Sequence, residues 1–114
     1  MIDKSSVLTN LASAPISWGI CEVPDWGVQI PAERVLAEMA EVGLAATELG
    51  AAGYLGTTPE QVLEMTSAHG LQVIGGFVPL VLHTQEARPQ MIEQAREAAF
   101  VLSGAAFVVA VAPE

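Results

Sequence analysis

Glu48 and His83 stand where apolar runs give out, a place from which a side chain can reach a substrate. Glu48 comes near the end of Ala45-Ala46-Thr47-Glu48-Leu49, and His83 closes Phe77-Val78-Pro79-Leu80-Val81-Leu82. A carboxylate can bind a substrate hydroxyl or shuttle a proton at carbon, and an imidazole can transfer a proton near neutral pH. Trp18 and Trp26 are the candidate binding surfaces, because aromatic rings pack well on the C–H faces of a ligand. Each has a plainer reading. Glu48 would be a solvated strand-end acid and His83 an exposed loop histidine. Trp18 would pack on its own loop, and Trp26 would anchor that loop.

Other reactive residue types carry less. His69 precedes Gly70 at a predicted helix end, where the dipole favours an imidazolium, so its role is structural. Cys21 stands alone and is expected to pack as a small apolar residue. Ser17 lacks the G-x-S-x-G elbow of a hydrolase. Gly75-Gly76 lacks the rest of a dinucleotide or Walker pattern and marks a tight strand end.

The elements that must position these residues follow a repeat. Val35-Leu36 and Gly43-Leu44 recur as Val62-Leu63 and Gly70-Leu71, 27 residues on, and a looser third copy runs over residues 89–111. An amphipathic helix, a glycine and an apolar strand, repeated, make β/α units on a parallel sheet. Strands are expected at 14–20, 45–49, 72–77 and 106–111. The first helix opens at Pro31 and ends at Gly43, with Val35, Leu36, Met39, Ala40 and Val42 as its apolar face. The second begins with Thr58 as N-cap and ends at His69-Gly70. The third carries Met91, Ala95, Ala98 and Leu102 on one face. Residues 1–13 read as a polar lead-in, and 21–30, with Pro24, Trp26 and Gly27, as a long loop after the first strand. Such loops at the C-terminal ends of barrel strands shape active sites.

Composition narrows the functional classes. The 114 residues make one domain's worth of chain, 52% hydrophobic, with a formal charge of −9. That charge repels phosphate backbones, and Lys4, Arg34, Arg88 and Arg96 are scattered, so nucleic acid is excluded as an expected partner. No apolar run reaches the ~18 residues of a membrane span. Met1-Ile2-Asp3-Lys4 does not open a signal peptide, and a lone cysteine suits a reducing cytoplasm.

Four parallel strands are half of an eight-stranded barrel of ~250 residues. A sheet of that kind exposes two edges and one apolar face, which invites association. The fold expected is therefore α/β, with parallel β/α units forming the N-terminal half of a TIM barrel over residues 1–114. A homo-oligomer or a complementary half-barrel would complete it. A flavodoxin-like sheet would need a tight phosphate loop after the first strand, and none is present.

Ala14-Pro15-Ile16-Ser17-Trp18-Gly19, with Thr47-Glu48-Leu49-Gly50 after one helix, resembles the opening of the sugar phosphate isomerase/epimerase family. The fold of that family is the xylose isomerase-like TIM barrel, and the first segment is most like inosose dehydratase-type members. Gly75-Gly76-Phe77-Val78-Pro79 with His83 suits the third strand and loop of the same group. The resemblance covers nearly the whole chain but only the family's N-terminal half. It implies a divalent metal (Mn²⁺, Mg²⁺ or Co²⁺) polarising a sugar or cyclitol while carboxylates move a proton beside a carbonyl. The family's metal ligands lie on its later strands, so none is assigned to this chain. Three readings stay open: a sugar or sugar-phosphate isomerase/epimerase, an inosose dehydratase-like lyase, and a non-catalytic half-barrel that needs a partner chain. Catalysis by the chain alone stays open with them.

Overall fold

A computed structural model describes residues 11–20, 25–27, 29–81, 83–104 and 108–113. Cys21, Pro24 and Glu114 lie outside the described residues, as does nearly all of the predicted lead-in.

The elements in chain order are β1 (Ala12–Ser13), α1 (Ala32–Val42), β2 (Ala46–Glu48), α2 (Pro59–Ser67), β3 (Gln72–Leu80), α3 (Arg88–Val101) and β4 (Val108–Pro113). All neighbouring strands pair in parallel, in the order β1-β2-β3-β4. This sequential order is the winding of a β/α barrel, and it differs from the doubly wound order, which reverses direction part-way across the sheet. Right-handed crossovers between sequential strands carry every helix to one face. Among the described residues the sheet is open, with β1 and β4 as its edges.

The helices form where their caps and stripes predict. Pro31 precedes α1, Glu33 complements its first turn, and the Gly43 N–H closes its end on the Ala40 carbonyl. Val35, Leu36 and Met39 are fully buried. Val42 shares Val35's side of α1 but sits in the last turn and is 58% exposed, so the buried stripe is shorter than its spacing predicts. In α2 the Thr58 hydroxyl accepts from the Gln61 N–H at 3.2 Å, as the N-cap reading requires. That helix ends at Ser67 rather than at His69. The turn beyond it is closed by Gly70 N–H to the Ser67 carbonyl and Leu71 N–H to the Thr66 carbonyl. On α3, Met91 is buried while Ile92 and Phe100 are exposed; Leu102, buried, falls in the 3-10 turn that follows.

The first strand departs most from expectation. Only Ala12–Ser13 pairs with β2, and Pro15–Trp18 is a 3-10 turn. Pro15 has no N–H for a ladder and its fixed φ suits the start of a turn, so the strand stops before it. β2 is trimmed to three residues, and β3 is extended through Leu80 by pairing with β4. Residues 106 and 107, expected to open the fourth strand, lie outside the described residues.

One core joins the layers: Val35, Leu36 and Met39 of α1, Leu49, Val62 of α2, Val73 of β3 and Leu102 pack together. Thr47 pairs with Val73, and both are buried toward the helices. A Cβ on Gly76 would meet Leu102 Cδ1 at 3.3 Å, so Gly76 also faces the helices. A register shift between Thr47 and Glu48 breaks the strict alternation of β3, and Glu48, Ile74 and Phe77 are all exposed. Right-handed crossovers leave the face opposite the helices bare.

Leu36→Ala should lower unfolding stability by about 2–5 kcal/mol, since the cavity opens at the centre of the core. Val42→Ala should stay within about 0.5 kcal/mol. Urea denaturation of the two variants side by side measures the contrast.

Candidate functional site

The parallel winding brings the ends of β1, β2 and β3 to one side of the sheet, and the candidate residues follow those ends. Trp18 lies in the 3-10 turn after β1, Glu48 is the last residue of β2, and His83 follows β3. Trp26 belongs to the loop between β1 and α1. The four thus share one rim. Among the described residues no hydrogen bond or ion pair joins the Glu48 carboxylate to His83.

Glu48 is exposed, so the burial cost that its apolar neighbours suggest does not arise. Thr47 and Leu49 take the helix side, and Glu48 is left pointing across the bare face. Trp18 is half-buried and packs against the core, with part of its indole open. Trp26 is 69% exposed. His83 is exposed and His69 half-buried after α2. Among the described residues no three His, Cys, Asp or Glu side chains converge to hold a metal ion.

Three contacts that carry no motif bind the rim loops together. The first joins the two quoted segments: Pro15 is fully buried, and a Cβ on Gly50 would lie 2.7 Å from its ring. Gly50 has φ +78°, a left-handed conformation costly for other residues, so glycine is required there twice over. The second closes the loop between β1 and α1. A Cβ on Gly27, at φ +72°, would lie 1.8 Å from the Gly19 carbonyl oxygen. Trp18 and Trp26 each immediately precede one glycine of this pinch. The third is a hydrogen bond from the Tyr54 hydroxyl to the Ile30 carbonyl, 2.5 Å long, between residues 24 apart. Partial burial raises the Tyr54 pKa above its ordinary value of 10.0. Sequence reading passed over Tyr54 because nothing local marks a partner so distant.

A cavity of about 600 Å³ lies between residues 50–57 and α3, lined by Leu49, Phe77, Val78, Glu97 and Phe100 among others. A larger one of about 810 Å³ lies between α2, β3 and Val101-Leu102. Neither is lined by Trp18, Trp26, Glu48 or His83. These two cavities and the candidate chemistry are therefore apart among the described residues.

Comparison with known proteins adds one relative. Over 77 residues the chain is 32% identical to the rhizopine catabolism protein MocC of Rhizobium meliloti. The match takes in 65% of this chain and 22% of that protein, so the chain spans about a fifth of its relative. No family model matches the sequence, and no solved structure matches it. No helix among the described residues is long and apolar enough to cross a membrane.

Gly27→Ala and Gly50→Ala should each cost about 2–4 kcal/mol, combining a left-handed L-residue with a close contact. Gly70→Ala, also at positive φ but with nothing within 4 Å, should cost only about 1 kcal/mol. Chemical denaturation of the three variants tests this ordering. Tyr54 gives a second expectation. A phenol whose folded pKa is raised contributes stability below its ordinary pKa and loses it as pH rises through the folded value. The urea midpoint should therefore hold to about pH 9 and fall above pH 10.0, and Tyr54→Phe should remove that part of the fall.

Proposed function

We propose that the chain supplies the N-terminal β/α units of a divalent-metal-dependent enzyme acting on a sugar, sugar phosphate or cyclitol by proton transfer next to a carbonyl. The observation that carries the reading is the sequential parallel winding, with an exposed carboxylate at the end of β2 on the bare, barrel-interior side. Catalytic groups of β/α barrels come from the C-terminal ends of their strands. The partial likeness to a rhizopine catabolism protein supports a place in sugar-related catabolism.

In this reading Glu48 binds a substrate hydroxyl or receives a proton from the adjacent carbon, and His83 assists the transfer. Trp18 and Trp26 offer apolar walls to the ring. The metal's ligands come from strands beyond these four, so no step is drawn through it here. Isomerisation or epimerisation returns the proton to carbon. The alternative, an inosose dehydratase-like lyase, abstracts the same kind of proton and then expels hydroxide as water.

The open sheet, with Ile74 44% and Phe77 49% exposed on β3, favours one further reading. Here the chain is an association half, inactive until further β/α units cover it. Those units would come from a second copy or from a complementary half-barrel.

The test is an assay with Mn²⁺ or Co²⁺ of the chain alone, and of the chain joined to the remaining strands of its relative. Solvent deuterium entering a ketose without loss of water marks the isomerase or epimerase, and loss of water from a cyclitol ketone marks the lyase. Turnover only in the completed protein supports the association reading, and turnover of neither substrate class in it refutes both enzyme readings. Glu48→Gln in an active form should lower kcat/KM by about 10²–10⁴-fold with little change in stability. Unchanged turnover would remove Glu48 from the site.

A further inference from the structure

The loop between β1 and α1 holds both tryptophans of the chain. Its backbone is anchored twice. The first anchor is the Gly19–Gly27 contact, which pinches the loop behind Trp18 and just past Trp26. The second is Ile30, whose carbonyl accepts the Tyr54 hydroxyl hydrogen bond. The side that donates this bond is itself firmly built. Tyr54 N–H bonds the Ala51 carbonyl at 3.0 Å, and the adjacent Leu55 is 1% exposed. The Thr57 N–H and hydroxyl both reach Gln61 Oε1 on α2, at 2.8 and 3.1 Å. Tyr54 and Ile30 each pack against the core. The hydroxyl therefore links a rigid segment to a loop whose backbone, between pinch and helix, has this polar tie to another loop.

We propose that Tyr54 is a positioning residue: its hydroxyl bond to Ile30 holds the Trp26 segment as a fixed part of the rim. Its consequence for ligands rests on the functional reading above, in which Trp26 meets the substrate. The positioning itself does not, and it is measured without any ligand. Trp18 provides the internal control. It packs on the core and belongs to the Pro15–Trp18 turn.

The experiment is ¹⁹F NMR of the full chain carrying 5-fluorotryptophan, with its two resonances assigned by Trp18→Phe. In Tyr54→Phe the ring and its packing are kept and only the hydroxyl is lost. The Trp26 resonance should shift or broaden, while the Trp18 resonance stays in place and the urea midpoint changes little. Tyr54→Leu, which removes the ring as well, should move Trp26 at least as far. Two outcomes overturn the proposal: both resonances unchanged in Tyr54→Phe, or both changed alike together with a lower midpoint, the mark of a purely structural role. Adding myo-inositol to labelled wild-type chain bears separately on the ligand reading. A Trp26 response that Tyr54→Phe weakens extends the proposal to binding. A response of equal strength in the two proteins overturns that extension, and silence in wild type counts against the ligand reading alone.

Discussion

Parallel strands laid down in sequential order constrain everything else in this chain. Each crossover must be right-handed, so α1, α2 and α3 all arrive on one face of the sheet. Their apolar stripes have only that face to cover, and the core forms there from Val35, Leu36, Met39, Val62, Val73 and Leu102. Burying those side chains favours the fold by about 1.5–3 kcal/mol each before conformational entropy is set against it. The same rule leaves the other face without helices. Ile74 and Phe77 of β3 are exposed, although their residue types favour burial.

The winding also sets where chemistry can occur. Parallel strands end together, so the segments after β1, β2 and β3 meet along one rim. That rim is held by contacts of three physical kinds: the Pro15 ring on Gly50, backbone against backbone at Gly19 and Gly27, and the Tyr54 hydrogen bond to Ile30. Each joins segments far apart in sequence. Together they tie the described parts of the segment between β1 and α1 to the turn after β2.

Charge bears on the same rim. At −9 the net charge repels polyanions in general. Glu48 stands exposed at the end of β2. Closing the bare face with further β/α units would place the acid inside a barrel mouth, where electrostatic interactions strengthen.

What the sequence by itself determined is local. The 27-residue repeat, the cap at Thr58, the stop at Gly43 and the apolar spacing of α1 set the helices and the order of β/α units. Those signals are legible because hydrogen bonds and periodicity act over three or four residues. Strand limits are less legible: the strand expected at 14–20 gives way to a 3-10 turn at Pro15, which has no N–H for a ladder, and β3 lengthens only because β4 lies beside it. Of the candidate site, the residue types and their strand ends could be read in advance, but the exposure of Glu48 could not, since it depends on which face the helices cover. Only the tertiary structure decided that face, the fit of Pro15 on Gly50 and the reach of Tyr54 to Ile30. These contacts join residues distant along the chain, and no local pattern encodes a distance that folding alone makes short.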